Sequence, residues 1–439
     1  MSHFALGLAS FPLLLLLLLL RIRIGVAMLL VGGAGYLLIR GWAPLLAYLK
    51  TGPYLQLSSY TLSVIPMFLL MGQFATQAGM SRSLFQAASD CLGHRRGGVA
   101  MAAVGACAGF GSICGSSLAT AATMGRVALP EMRRLGYSGA LATASLAAGG
   151  TLGILIPPSV VLVIYAILTE QNIARMFAAA FIPGLLAAAG YLLAIAAYVR
   201  RRPLAGPAAP RAGWRQRRHS LLQTLPALAV FLLVVGGIYL GWFTPTEAAA
   251  VGAGTLGVLA FSHGGMRLRG LMRCLLGTAE TTGMIFLILL GAELYNAFLA
   301  LTRMPQELAQ LLAANALPPL LILLCILLLY LLLGCVMDSL SMILLTIPIF
   351  FPLVMGLDFG LGQEEAAIWF GILVLVVVEV GLITPPVGMN VFVINSLADG
   401  VPMRDTFAGI VPFLVSDLAR IALLIAFPGI SLGLVRLFA

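Results

Sequence analysis

Charge is what this chain has least of: only 9% of its 439 residues are Asp, Glu, Lys or Arg, and Lys50 is its single lysine. A nucleotide-binding P-loop needs a lysine after its glycines, and no such sequence occurs around Lys50, which excludes ATP hydrolysis by that route. Histidine is as scarce, with His3, His94, His219 and His263 all in the tail or in loops, and there is no HExxH. Zinc-hydrolase and Ser/His arrangements are thereby removed, and with them the case for an intramembrane enzyme. The six cysteines form no CxxC pair and most stand in apolar runs, which reads them as small core residues rather than metal ligands or disulfide partners. Although the net charge is +10, the basic residues are nearly all arginines in short loops beside apolar runs. That placement reports orientation in a membrane, not binding to nucleic acid.

What the chain does have is apolar surface: 61% of residues are hydrophobic and the mean hydropathy is +1.07. Both values predict an all-α polytopic membrane protein with no separate soluble domain. The first run, Phe4 to Leu20, contains eight consecutive leucines, but Arg21 and Arg23 follow it and no Lys or Arg precedes it. With no small-residue cleavage site either, it reads as a retained span rather than a signal peptide. Further runs fall at about 24–40, 60–80, 98–125, 139–168, 173–199, 223–242, 245–262, 274–300, 318–353, 367–397 and 407–428.

Basic loops set the direction of these runs. Arg82, His94, Arg95 and Arg96 precede 98–125, and Arg126, Arg133 and Arg134 follow it, so both flanks belong on the cytoplasmic side. A segment that leaves and returns on one side is a re-entrant hairpin, with GSICGSS at its tip. Segment 139–168 then crosses outward and 173–199 returns, placing the Pro/Ala/Arg stretch around Arg200 to Arg218 inside as a linker that divides the chain. By the same logic 274–300 runs outward and a second hairpin, 318–353, opens to the outside, followed by Asp358, Glu364 and Glu365 with no basic residue. The expected organisation is N-terminal spans in 1–59, a first repeat in 60–200, linker and connecting spans in 201–273, a second, inverted repeat in 274–428 and a tail in 429–439. Fine spacing agrees: Gly153 precedes Pro157-Pro158 by four residues as Gly381 precedes Pro385-Pro386 by four, and Ser116 lies five after Gly111 as Ser339 lies five after Gly334. An inverted repeat gives two near-equivalent conformations facing opposite sides, which is what alternating access requires.

Broken segments carry the chemistry. Paired prolines remove two backbone donors and push the preceding residue out of helical geometry, freeing carbonyls of the turn before. Such backbone is tolerated at membrane depth only inside protein or along a polar cavity. Carbonyls around Gly149–Ile154 and Val380–Thr384, with hydroxyls of Ser112, Ser116, Ser117, Thr151 and Thr384, are suited to replace the water shell of Na+. Half-helix N-termini at the same breaks favour an anionic substrate. The cavity residues expected from this are Ser116, Ser117, Gly153, Pro157, Pro158, Ser339, Pro385, Pro386 and Asn390. Asp338, at the second tip, is an ionisable group at membrane depth and so a candidate for the ion site or for latching the hairpin. Glu379, just before the second break, is expected to brace freed amides there or to couple to the ion. Glu247 reads as structural, because Thr244-Pro245-Thr246-Glu247 has the form of a helix capping box.

The stretches IPMFLLMGQFATQAGMSRSL (65–84), GHRRGG (93–98), GFGSICGSSLATAATMGRVALPEM (109–132), GTLGILIPPS (150–159), GIYLGWFTPTEAAAV (237–251) and EVGLITPPVGMNVFV (379–393) resemble the large membrane subunit of tripartite ATP-independent periplasmic (TRAP) transporters, of DctM/SiaM type. The resemblance spans most of residues 60–430. It implies the inverted-repeat ion-transporter-superfamily fold with two re-entrant hairpins and two broken helices, in the bacterial inner membrane. It also implies import driven by Na+ as coupling ion, with no other cofactor, through elevator-like movement of the hairpin-bearing core. Two partners are implied: a small four-helix membrane subunit (DctQ/SiaQ type) and a periplasmic substrate-binding protein (DctP/SiaP type) that delivers a small organic anion. Family ion sites carry over to Ser112, Gly115, Gly149, Thr151, Gly334, Asp338, Gly381 and Thr384. A stand-alone Na+-coupled dicarboxylate or citrate symporter is the alternative that the broken segments also fit.

Overall fold

The computed structural model describes residues 2–304, 307 and 318–437. Met1, the remainder of the 305–317 stretch within the expected second repeat, and the last two residues of the expected tail lie outside the described residues. Among the described residues the chain is helical, with no strand. Helices α1 (His3–Leu19), α2 (Ile24–Arg40), α3 (Trp42–Leu57), α4 (Val64–Gln77) and α5 (Met80–Leu92) lead to a first hairpin, α6 (Gly98–Cys114) and α7 (Ser117–Arg134). A broken helix follows, α8 (Gly139–Leu155) and α9 (Val160–Leu168), and then α10 (Ile173–Arg201). After α11 (Trp214–Tyr239), α12 (Pro245–Ser262) and α13 (Leu268–Thr302) comes the second hairpin, α14 (Pro319–Gly334) and α15 (Ser339–Met355). The second broken helix is α16 (Gln363–Gly381) and α17 (Met389–Leu397), and α18 (Met403–Ala426) and α19 (Gly429–Leu437) complete the order.

Local chemistry explains where helices restart. Ser116 accepts the Ala119 N–H (3.4 Å) to cap α7, Asp338 accepts the Ser341 N–H (3.1 Å) to cap α15, and Ser138 and Ser159 cap α8 and α9 in the same way. Each side-chain oxygen satisfies one of the donors that a helix start leaves free. At the first tip Gly115 has φ +65°, the left-handed turn that ends α6. Thr244 and Glu247 form the expected capping box at α12.

Among the described residues four helices are individually long and apolar enough to cross a membrane, α10, α11, α13 and α18, or six spans when two bent pairs are included. One of those pairs is α8 with α9, bent by 44°; the other is α3 with the 60–77 segment, bent by 55°. Hairpin arms α6, α14 and α15 fall among the shorter apolar helices, together with α1 and α2. Sequence hydropathy passes over α3 because Lys50, Gly52 and Pro53 dilute its apolar run, and over α5 because that helix is amphipathic, burying Met80, Phe85 and Ala87 on one side. Two expected boundaries also move. The first hairpin's second arm continues past 125 to Arg134, and α11 begins at Trp214 inside the expected linker, so Arg215, Arg217 and Arg218 ride on a helix. In both places hydropathy marks the edge of the apolar layer, whereas the backbone hydrogen bonds run on. Segment 429–437 is likewise a helix rather than a loose tail, tied back by Arg436 to Glu365 (2.7 Å).

Gly97 N–H donates to Gly206 O (2.9 Å), Ala209 N–H to Gly93 O (2.8 Å) and Ser138 N–H to Ala205 O (2.9 Å), so both feet of the first hairpin stand on the 202–209 segment. At this end the Arg134 guanidinium, hydrogen-bonded to Glu131, holds that carboxyl below its ordinary range. At the opposite end Arg175 pairs with Glu364. Helices α2 and α13 pack backbone to backbone through glycines: a Cβ on Gly25 would stand 2.9 Å from the Leu287 carbonyl carbon, and one on Gly32 2.8 Å from Tyr295 Cα. Without a hydrophobic drive between helices in lipid, such close van der Waals contact holds them together. The hairpins surround α8 and α16, in which Leu141–Leu155 and Ala366–Gly381 respectively are buried on every side.

Candidate ion and substrate site

Each hairpin tip lies against a broken helix, and small residues make each approach possible. A Cβ on Gly111 of α6 would run into Gly153 Cα of α8, and a Cβ on Gly381 of α16 would stand 2.7 Å from Gly334 Cα and carbonyl carbon of α14. The two hairpin-to-broken-helix contacts therefore use the glycines that the sequence places at matching positions. Gly115 at the first tip faces the first break, with its would-be Cβ 3.3 Å from Val160 N and 3.5 Å from Pro158 O. At the second tip the Cys335 carbonyl accepts the Gly388 N–H (3.2 Å) from beyond the Pro385-Pro386 break. Both Pro-Pro bonds are cis.

Between the tips is a cavity of about 170 Å³ that Gly115, Ser116, Ser117, Asp338 and Ser339 share with Leu69 of α4, Ile154, Val160, Val161 and Thr281, Met284 and Ile285 of α13. It is where the hairpin-bearing core meets the helices outside it. Behind it the two tips are joined: Ser117 Oγ donates to Glu379 Oε2, and Ser339 Oγ donates to Glu379 Oε1 (2.6 Å). Glu379 is 0% exposed, Ser117 1% and Ser339 3%. Its carboxylate thus takes two side-chain hydroxyls from opposite hairpins, where backbone amides of the second break are the partners the sequence suggests.

Other expected residues distribute as follows. Ser112 Oγ donates to Gly109 O (2.9 Å), Thr151 Oγ1 to Ala148 O (2.7 Å) and Thr384 Oγ1 to Val380 O (2.6 Å), each within its own helix turn. A hydroxyl whose proton is used this way keeps lone pairs for another partner. Gly150 meets Ala121 and Asn390, whose Nδ2 donates to Ala147 O (3.2 Å) and whose buried Oδ1 has no hydrogen-bond partner. Gly149 sits deeper, with Cys107 Sγ 3.0 Å from its would-be Cβ, and does not line the cavity. Thr151 points the other way, to Tyr191 OH (3.0 Å).

Carbonyls differ between the two breaks. Pro157 and Pro158 have no N–H to offer Gly153 and Ile154 in the turn before. At the second break the carbonyls are engaged: Val380 O accepts the Thr384 hydroxyl and the Ile383 N–H (3.2 Å), Gly381 O the Thr384 N–H (3.0 Å) and Leu382 O the Asn390 N–H (3.0 Å). Pro157 and Pro158 are buried, whereas Pro385 and Pro386 are exposed.

Sequence reasoning passes over one buried polar chain. Tyr191 OH donates to Asp417 Oδ2 (2.9 Å), Asp417 Oδ1 accepts Arg420 Nη2 (2.8 Å), and Thr151 extends the chain to α8. Asp417 and Arg420 are 1% and 5% exposed, and Arg420 Nε and Nη1 are without hydrogen-bond partners. The signal was an Asp and an Arg three apart within an apolar run, a spacing that brings them together on one helix face.

Comparison with known proteins gives the family and the fold. The family described as "Tripartite ATP-independent periplasmic transporter, DctM component" matches residues 11–430. The chain is 40% identical over 376 residues to the C4-dicarboxylate TRAP transporter large permease protein DctM of Pseudomonas aeruginosa, covering 85% of this chain and 86% of that one. It is 32% identical over 387 residues to the sialic acid TRAP transporter large permease protein SiaM of Vibrio cholerae, covering 87% and 88%. Against the isethionate TRAP transporter permease protein DctMQ of Oleidesulfovibrio alaskensis it is 32% identical, covering 80% of this chain and 54% of that one. Among solved structures it is similar to the YdaH transporter of Alcanivorax borkumensis, with a TM-score of 0.65 at 15% identity and 90% of each chain covered, a likeness of fold.

Proposed function

The chain belongs to the DctM component family of tripartite ATP-independent periplasmic transporters, and from that premise we propose that it is the Na+-driven permease subunit that imports a small organic anion across a bacterial inner membrane. As a TRAP large permease it is a transport subunit and not an enzyme. The observation that carries the proposal is the paired apposition Gly111–Gly153 and Gly334–Gly381, which seats each hairpin tip against a broken helix on either side of one cavity. Two half-sites of that kind suit two faces of one alternating cycle.

In this reading Na+ is held near the first tip by Ser112 and Gly115, with the Gly153 and Ile154 carbonyls that Pro157 and Pro158 leave without amide donors, while Gly149 and Thr151, which face Cys107 and Tyr191, support that turn of α8 from behind. Near the second tip it is held by Gly334, Asp338, Gly381 and Thr384. The Ser112 and Thr384 hydroxyls, donating within their own helices, offer oxygen lone pairs as ligands. Substrate occupies the cavity of Ser116, Ser117 and Ser339, enlarged as the hairpin-bearing core moves against α4 and α13. Its anionic groups are met by the starts of α7 and α15. C4-dicarboxylates and sialic acid, named for the relatives, are the substrate classes to try first. A small membrane subunit and a periplasmic binding protein complete the system; a fused DctMQ relative shows that large and small membrane parts occur in one chain.

The test is uptake of labelled organic acids into proteoliposomes holding this chain with its small partner, with and without an inward Na+ gradient and the periplasmic protein. Uptake that needs both supports the tripartite reading, and loss in Asp338→Ala and Thr384→Ala supports the ion sites. Uptake by this chain alone overturns the tripartite reading in favour of a stand-alone symporter.

A further inference from the structure

Glu379 stands two residues before Gly381 on α16, and the matching place before Gly153 on α8 is Thr151. The repeat thus has one carboxylate where symmetry would give two, and that one carboxylate serves both hairpins. Ser117 is the first residue of α7 after its cap Ser116, and Ser339 the first of α15 after its cap Asp338. Equivalent hydroxyls from opposite hairpins therefore meet the two oxygens of one buried group. Removing one donor from a buried carboxylate leaves an oxygen without compensation, a cost that falls on whichever tip withdraws alone.

We propose that Glu379 is a positioning residue that joins the two hairpin tips, so that they open and close together rather than one at a time. This rests on the reading of the two tips as half-sites of a transport site carried on one moving core, and it adds a reason why the two half-sites assemble in one step. With both tips in place each oxygen is satisfied. The joined arrangement is the low-energy one, and single-tip opening is suppressed.

The chain carries its own reporters: Cys114 ends α6 at the first tip and Cys335 follows α14 at the second, 7% and 2% exposed. We would measure alkylation rates of both thiols by mass spectrometry in membrane vesicles containing the full chain. Ser339→Ala is expected to speed alkylation at the distant Cys114 as well as at Cys335, each by about three-fold or more, and Ser117→Ala to do the same in reverse. On a Glu379→Ala background neither serine substitution should have any effect across to the other tip. If each serine variant speeds only the thiol of its own hairpin, the joint does not exist. Should Glu379→Ala fail to accumulate, the two serine variants, each lacking a single oxygen, decide the matter alone. These rates need no Na+ gradient, so failure of Na+-driven uptake would count against the proposed function and leave this test standing, and the converse holds.

Discussion

Helix α6 carries two glycines whose replacement by alanine should act with opposite sign. At Gly105 a Cβ would meet nothing within 4 Å, and in a helix interior alanine exceeds glycine by about 0.5–1 kcal/mol through lower backbone entropy in the unfolded chain. Gly105→Ala should therefore be neutral or stabilising. At Gly111 the same methyl would overlap Gly153 Cα, stand 2.9 Å from Gly153 N and come within 3.4 Å of Thr120 Oγ1. Two of these three atoms are backbone of α8, so no side-chain rotation relieves the clash and α6 must move off α8. Overpacking of this kind costs about 1–3 kcal/mol. If the cost falls only on the arrangement seen here, it lowers that population by about 5- to 150-fold relative to one in which the tip has parted from α8. The assay pairs a thermal melt by fluorescence-detected size exclusion with initial Na+-dependent uptake in proteoliposomes. Gly105→Ala should keep or raise the midpoint with uptake intact; Gly111→Ala should lower the midpoint and lose most uptake. A Gly111→Ala protein that melts and transports like the parent would refute the argument that this glycine contact seats the first tip.

The other expectations concern separate parts of the molecule. Asn390→Ala removes the bond to Ala147 O and should lower thermal stability by about 1–3 kcal/mol; a substrate titration of uptake should show a raised half-saturation, and an unchanged one would place Asn390 outside the substrate site. Arg420→Met leaves Asp417 buried without its cation and should cost about 3–5 kcal/mol; the double change Asp417→Leu with Arg420→Met should recover part of that in a melt, whereas additive losses would contradict a paired buried charge. Thr244→Ala breaks the capping box of α12 and should cost about 0.5–2 kcal/mol in the same melt, with uptake unchanged because no residue of α12 lines the cavity between the tips.

Much of the architecture was legible in the residues because the membrane simplifies the problem. Apolar runs mark what lies in lipid, arginines mark which end faces inside, and paired prolines mark where a helix must break. Hence α2, α8 and α9, α10 and the second hairpin stand within a few residues of where the pattern puts them, and the first hairpin begins where expected. The matched spacing of Gly111 and Gly334, and of Gly153 and Gly381, also proved to be spatial, since each hairpin glycine touches its broken-helix counterpart. Hydropathy was silent where lipid is not the solvent: on α5, on the polar extension of α7 and on the start of α11.

Only the tertiary structure decided which polar groups meet. Glu379 and Ser117 are 262 residues apart in sequence and Tyr191 and Asp417 are 226 apart, and no local period links such pairs. Which way a helical side chain faces is fixed by the partner that covers it. That is why Gly149, Gly150, Thr151 and Gly153, four positions in one turn and a half of α8, face Cys107, Asn390, Tyr191 and Gly111 respectively. From sequence alone they form one broken segment. In the folded chain three of them, Gly149, Gly150 and Gly153, belong to the hairpin contacts and one, Thr151, belongs to the buried charge pair behind, because a helix turns about 100° per residue and distributes neighbours in sequence to different neighbours in space.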